Sequence, residues 1–399
     1  MRKRLFSKLA IVMSTAIVVS GCFCPIDKAF VNAETIQDED DSYYDDDSDY
    51  DDSTDDSYDD STDDSYDDST DDSDNEETTG TKIDDVKLSS SELQAFIKES
   101  DSDENGYISQ SEAEKITYVS ISKKASQSDL TQIIKLYPNI SELMWNAGTL
   151  TKLTFPKNNI KRLNITSKAA SQLVISGINQ KLNNLSYTAQ GSKKYAFNFA
   201  KGSAYKKVED FNLMGKQING VKLSNAEVGT LYVTDTSAKK IDASSDKIIN
   251  LWVQNNKKLS SFTVRNCSKL KSVSCAYNAL SRLNISGCPK LLSVSCDRNK
   301  LTKLDISKYK NLKSISCGQN KFDISKNKKL ISVYCNDNKL TELNTSKNKK
   351  LSYFGCSNNK LNKLNVIPNK KLTTLSCYGN KFTKVNLKKN KELVSMAVS

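Results

Sequence analysis

The amino-acid sequence predicts an α/β repeat solenoid, an arc with parallel β-strands on its concave face, preceded by a small helical cap and an acidic tether predicted to be disordered. Three observations lead there. From Leu270 onward, segments of about 21 residues align with apolar residues, a cysteine and an asparagine at fixed offsets. Residues 51–73 repeat an eight-residue unit of Asp, Ser, Thr and Tyr. The 399-residue chain has 5 Pro, no His, 37% hydrophobic and 27% charged residues, a composition suited to a polar solenoid plus a segment without a core.

Residues 1–33 read as an export signal. "MRKRLFSK" is a basic start and "LAIVMSTAIVV" a short apolar run, below the roughly 20 residues a membrane span needs. Two processing outcomes stay open. "VSGC" resembles a lipobox that would make Cys22 a lipid anchor on the outer face of the membrane, and "FVNAET" offers cleavage after Ala33. Either implies a cell-surface or secreted, extracellular protein. Residues 34–85 form the tether: like charges repel and almost nothing is available to bury.

Residues 86–117 carry the most specific chemistry. "DSDENGYISQSE", residues 101–112, satisfies D-x-[DN]-x-[DN]-G-x5-E, the EF-hand-like calcium loop. Asp101, Asp103 and Asn105 supply oxygens, Tyr107 its carbonyl, Ser109 a contact through water, and Glu112 a bidentate carboxylate. Gly106 allows the sharp turn. "SSSELQAFIKES" places Leu93, Phe96 and Ile97 on one helical face behind a serine cap, and "SEAEKI" begins an exiting helix. No second loop is present to pair with this one.

Residues 118–399 are the solenoid. Its pattern, L-x-x-[LVIF]-x-C-x-x-N-x-[LF]-x-x-[LV], is the leucine-rich-repeat signature, and weaker copies extend it upstream to opening residues Ile140, Ile160, Leu182, Val208, Val228 and Ile248. That makes about a dozen rungs. The copy from Leu182 is longer, carrying "GSKKYAFNFAKGSAYKK". A single rung cannot bury its own apolar side, so stacking builds one continuous core.

Period-2 alternation turns Cys275, Cys296, Cys317, Cys335, Cys356 and Cys377 inward. They are read as reduced packing residues, against ladder disulfides or a metal site, because rungs about 4.8 Å apart exceed the Cβ separation a disulfide prefers. Cys267 and Cys288 fall in neighbouring return loops, where one bridge is conceivable. The recurrent Asn278, Asn299, Asn320, Asn338, Asn359 and Asn380 satisfy backbone groups where each strand ends.

Charge is partitioned along the chain. Residues 34–85 hold 26 acids and one lysine, while residues 86–399 hold 52 Lys and Arg against 21 Asp and Glu, so the whole-chain +10 conceals a strongly basic solenoid. Lysines recur in the turns and returns, as in "SKNKK". They either solvate the surface or meet an anionic cell-wall polymer; nucleic acid is not expected for an exported chain. The strand-side face offers Ser272, Ser274, Ser293, Ser295, Ser314, Ser316, Ser332 and Thr374 as exposed positions, with Tyr277, Arg298, Tyr334, Tyr353 and Tyr378 as candidate contacts for a protein or glycan. With no histidine, nucleophile elbow or phosphate loop, no enzyme is expected.

An export signal, one EF-hand-like loop and L-x-x-L-x-C-x-x-N-x-L repeats together resemble the leucine-rich-repeat surface proteins of Gram-positive, clostridia-like bacteria, distantly similar to internalins. The resemblance covers residues 91–399 and implies a parallel-strand arc, an extracellular location and a binding role. It supplies no ligand.

Overall fold

The structure is a computed structural model and describes residues 79–223, 226–301, 304–318 and 323–398. The expected lipid anchor Cys22, most of the tether and Asn320 lie outside the described residues.

A 14-stranded parallel sheet runs the length of the solenoid, from Tyr118–Ser120 to Ser395–Ala397, each strand pairing with the corresponding strand of the next rung. It is the strand ladder the repeat predicts. The opening residues Ile140, Leu182, Val228, Leu270, Leu312 and Leu351 are all fully buried, at 0–1% exposure. Only Leu393, in the last rung, is half-buried.

Among the described residues helix occurs only at the N-terminal end: α1 (Ser91–Ser100), α2 (Gln110–Lys115) and α3 (Gln127–Leu136), the last of which is the first return of the long sheet. The later described returns are not helices. Along the middle of the array the returns are themselves strands. Tyr195–Asn198, Ile218–Lys222, Lys240–Asp242, Ser261–Arg265 and Arg282–Ser286 form a second, five-stranded parallel sheet. β-branched and aromatic residues explain it: Val221, Ile241, Phe262 and Val264 alternate inward from a return too short for a helix. From Ile306 onward the returns shrink to turns.

The long copy after Leu182 has its own physical account. Its insertion delivers Phe197, Phe199 and Tyr205 to the core beside Tyr187 and Phe211, with ring centroids 4.7–6.2 Å apart in edge-on and tilted contacts. Aromatic volume replaces the leucine and cysteine of the regular rung, which is why the repeat is weak there.

The cap is joined to the first rungs through buried or partly buried carboxylates. In α3, Ser126 and Asp129 form a reciprocal capping box, and Asp129 also accepts from the Ser89 N–H and hydroxyl at 2.6 Å each. Glu92 of α1 accepts from Ser122 and Lys123 N–H. Leu93 and Ile97 are buried as expected, and Phe96 lies edge-on to Tyr137 at 5.6 Å. The serine cap of α1 differs from expectation: Ser90 makes no side-chain capping bond, and its hydroxyl is buried without a partner.

Regular structure also begins earlier than residue 86. Thr81–Lys82 forms an antiparallel strand with Tyr107–Ile108, followed by a 3₁₀ turn at Ile83–Asp85, so the last residues assigned to the tether belong to the cap. Their partner lies some 25 residues ahead, a pairing invisible to local composition.

Candidate functional site

Within the calcium-type loop, Gly106 adopts φ +83°, the left-handed turn this position requires. Asp101 accepts from the N–H groups of Asn105 (3.2 Å) and Gly106 (2.9 Å), which curls the loop around its carboxylate. At the far end Ser109 caps α2 in a reciprocal box with Glu112. Glu112 further accepts from the Ser102 N–H (2.5 Å) and hydroxyl (2.7 Å), and these Ser102 donors, with those of Ser109, hold its carboxyl down to about 2. Carboxylate oxygens of Asp101, Asp103 and Glu112 converge within 4.8 Å of one another. Asp101 and Glu112 are buried, at 8% and 5% exposure, and among the described residues no salt bridge reaches any of the three.

Such a cluster fits a hard divalent cation. Its donors are all oxygen, and an ion would offset the repulsion of the buried Asp101 and Glu112 carboxylates with each other and with the exposed Asp103. The pairing of Thr81–Lys82 with Tyr107–Ile108 gives the loop the β-contact that a second loop would otherwise supply; Ile83 N–H also bonds the Gly106 carbonyl at 3.0 Å.

Along the solenoid all eight described cysteines are free and buried. Burial pushes the thiols of Cys275, Cys296, Cys317, Cys335 and Cys356 well above the ordinary range, and that of Cys377 up to about 11. Cys267 and Cys288 stack on successive rungs of the second sheet's exit, and hydrogen bonding to Cys288 together with burial keeps Cys267 protonated.

The asparagine ladder is realised rung by rung. Asn359 Nδ2 donates to the carbonyls of Cys335 and Cys356, each at 2.9 Å, while its Oδ1 accepts from Leu340 N–H at 3.1 Å; Asn299, Asn338 and Asn380 make the same two donations. A second ladder was not anticipated. Asn327, Asn348, Asn369 and Asn390 in the returns each donate to two carbonyls of the preceding rung, as in Asn348 to Ile324 (3.1 Å) and Asn327 (2.9 Å). The signal was present: asparagine stands three residues before Leu330, Leu351, Leu372 and Leu393, where Cys267 and Cys288 stand before Leu270 and Leu291.

The outward face of the long sheet departs from expectation. Ser274, Ser293, Ser295, Ser314 and Ser316 are buried at 0–8% exposure, since small side chains on strands of three residues are closed over by their neighbours; Asp297 leans onto the Ser295 and Ser316 hydroxyls. Tyr334 is also buried, 4.5 Å from the ring of Tyr353, and is withdrawn as a contact residue. Tyr353 is half-buried. Tyr277 (40%), Tyr378 (44%) and Arg298 remain exposed, but not on the strands: Tyr277 and Arg298 sit in the turns after them at φ +56° and +50°, with the guanidinium 5.4 Å from the ring centre. Sequence reasoning missed Tyr232 and Trp252, stacked on adjacent strands at 6.1 Å and 14°, because the degenerate central rungs hid their common register.

No protein-family model matches the chain, and no curated protein matches it. Solved structures similar to it are leucine-rich-repeat proteins. An internalin (InlF) of Listeria monocytogenes aligns over 81% of this chain and 94% of its own at 15% identity and TM-score 0.43. InlJ of the same organism, whose functional domain includes a cysteine ladder, aligns over 73% and 74% at 17% identity and TM-score 0.40. The leucine-rich-repeat domain of APL1B aligns over 69% and 86% at 15% identity and TM-score 0.46.

Proposed function

We propose that this is an extracellular binding protein of the cell surface, non-enzymatic, which engages a protein or glycan through the outward face of its long sheet. The observation that carries the reading is that face itself: 14 parallel strands in register form one continuous surface whose side chains change from rung to rung. The export signal supports the location, and among the described residues no helix is long and apolar enough to cross a membrane. Whether Cys22 is lipidated is decided by Cys22→Ala, which releases a lipid-anchored protein into the medium and leaves a chain cleaved after Ala33 unaffected.

Calcium belongs to the same reading as a structural ion. Asp101, Asp103, Asn105 and Glu112, with the Tyr107 carbonyl and Ser109, would hold it, and it would neutralise the converging carboxylates at the start of the cap.

The lysine-rich returns favour a second reading, contact with an anionic cell-wall polymer. Lys328, Lys349, Lys370 and Lys391 recur at one position of successive returns, are exposed, and belong to none of the salt bridges of the described residues. Binding of the full-length mature protein to purified cell walls and to extracellular matrix separates the two. Capture abolished by Thr230→Arg with Ser332→Arg on the sheet face, and insensitive to 0.5 M salt, supports the first. Capture lost instead with Lys349→Glu and Lys370→Glu, and collapsing with salt, overturns it in favour of the second.

A further inference from the structure

Along the second half of the long sheet the chain leaves its strands through a residue at positive φ. In register these are Asp235, Asn255, Tyr277, Arg298, Asp337, Asn358 and Gly379, at φ +50° to +66°. Left-handed backbone suits glycine, asparagine and aspartate, and five of the seven positions carry one of these. Tyr277 and Arg298, on adjacent rungs, do not: a bulky aromatic and a long cationic side chain stand where the backbone disfavours them. Burial does not explain the choice. Tyr277 is 40% exposed, and Arg298 is exposed as well. Backbone strain kept at exposed positions points to a function for the side chains. The Arg298 guanidinium lies over the Tyr277 ring, 5.4 Å from its centre, so the ring steadies one face of the cation and leaves its N–H edge free. Among the described residues no salt bridge or hydrogen bond engages that edge. The adjacent acid, Asp297, is already committed: it accepts from the Ser295 and Ser316 hydroxyls and, at 2.5 Å, from the Gly318 N–H.

We infer that Tyr277 and Arg298 form an anchor, at the strand-exit rim of the long sheet, that receives the carboxylate of an Asp or Glu side chain of an extracellular protein partner. This rests on the protein-binding reading and narrows it to an acidic contact beside the face. A guanidinium presents paired N–H donors that match the two oxygens of a carboxylate, and tyrosine and arginine are among the side chains that carry most of the affinity of protein interfaces. The solenoid's charge draws an acidic partner toward it, with 52 Lys and Arg against 21 Asp and Glu in residues 86–399. A polyanion threaded along the rim is the poorer occupant, because the same row carries Asp235 and Asp337 on either side of the pair.

The strain supplies a test that a merely structural pair fails. Tyr277→Asn with Arg298→Asn places a tolerant residue at both turns, so the full-length mature protein should keep or raise its thermal midpoint while losing its partner. A display library of short random peptides is selected on the wild type and counter-selected on this double variant. Enriched peptides should carry Asp or Glu. Calorimetry should show at least a tenfold loss of affinity when that residue becomes Asn or Gln, and an equal loss with Arg298→Lys, which keeps the charge but not the planar fork. A midpoint that falls by several degrees in the double variant, a selection that enriches nothing, or binding that survives the amide replacement or Arg298→Lys overturns the inference. Binding of inorganic polyphosphate that depends on Arg298 as strongly as peptide binding does also overturns it. If extracellular-matrix protein is captured by wild type and double variant alike but lost with Thr230→Arg and Ser332→Arg, the anchor falls while the binding face stands; if neither pair of substitutions matters, both readings fall.

Discussion

Replacing Asn359 by alanine tests the ladder that couples successive rungs. Its amide is 7% exposed; two N–H groups serve the carbonyls of Cys335 and Cys356 at 2.9 Å, with Ser357 as a longer third acceptor at 3.1 Å, and Oδ1 takes the Leu340 N–H at 3.1 Å. Alanine would strand up to three backbone groups in a place water reaches poorly. At about 1–1.5 kcal/mol for each, the expected loss is about 3–4 kcal/mol, close to half the stability of an ordinary domain. Urea unfolding should show the midpoint falling by roughly 1–2 M. The damage should also be local, since repeats contact only their neighbours, so hydrogen exchange should accelerate from about residue 330 onward and hardly at all before residue 250. Asn359→Asp keeps the acceptor but places a carboxyl against two carbonyls. Its folded pKa is raised, so it is less damaging below the ordinary carboxylate range, and stability is lost as pH rises through it. Asn358→Gly is the control, because the neighbouring position already sits at φ +54°, where glycine is at ease. A loss under about 1 kcal/mol for Asn359→Ala, or exchange that rises equally in both halves, would refute the coupling argument.

The buried thiols should resist alkylation in the native protein and react after denaturation without reductant; mass spectrometry showing Cys275, Cys296, Cys317, Cys335, Cys356 and Cys377 bonded to one another would contradict the packing role. Because burial raises these thiols above the unfolded value of about 8.5, the folded state holds protons that the unfolded state has released. Stability should therefore be intact below pH 8 and fall between pH 8.5 and 10 by up to about 1.4 kcal/mol per pH unit for each thiol exposed on unfolding, a slope that Cys296→Ala with Cys317→Ala should reduce. Calcium should bind with a dissociation constant of roughly 10⁻⁴–10⁻³ M and slow exchange from residue 79 to about residue 140, leaving residues beyond 270 unchanged; calorimetry without heat at millimolar calcium, or protection that persists in Asp101→Ala with Glu112→Gln, excludes the site.

The register of the repeat, the burial of its leucines and cysteines and the role of the first asparagine ladder could all be read from the sequence alone. Each depends on spacing within one rung or one turn, where period and side-chain chemistry leave little choice. Contacts along the solenoid axis were a different matter. Thr81–Lys82 pairs with Tyr107–Ile108, the outward serines vanish beneath Asp297 and their neighbours, the middle returns become a second sheet, and Tyr232 meets Trp252. Each of these joins residues about 20 or more positions apart whose meeting is set by how one rung stacks on the next. A local pattern fixes which way a side chain points, but only the stacked structure decides what stands above it and therefore whether it is covered, paired or left open to a ligand.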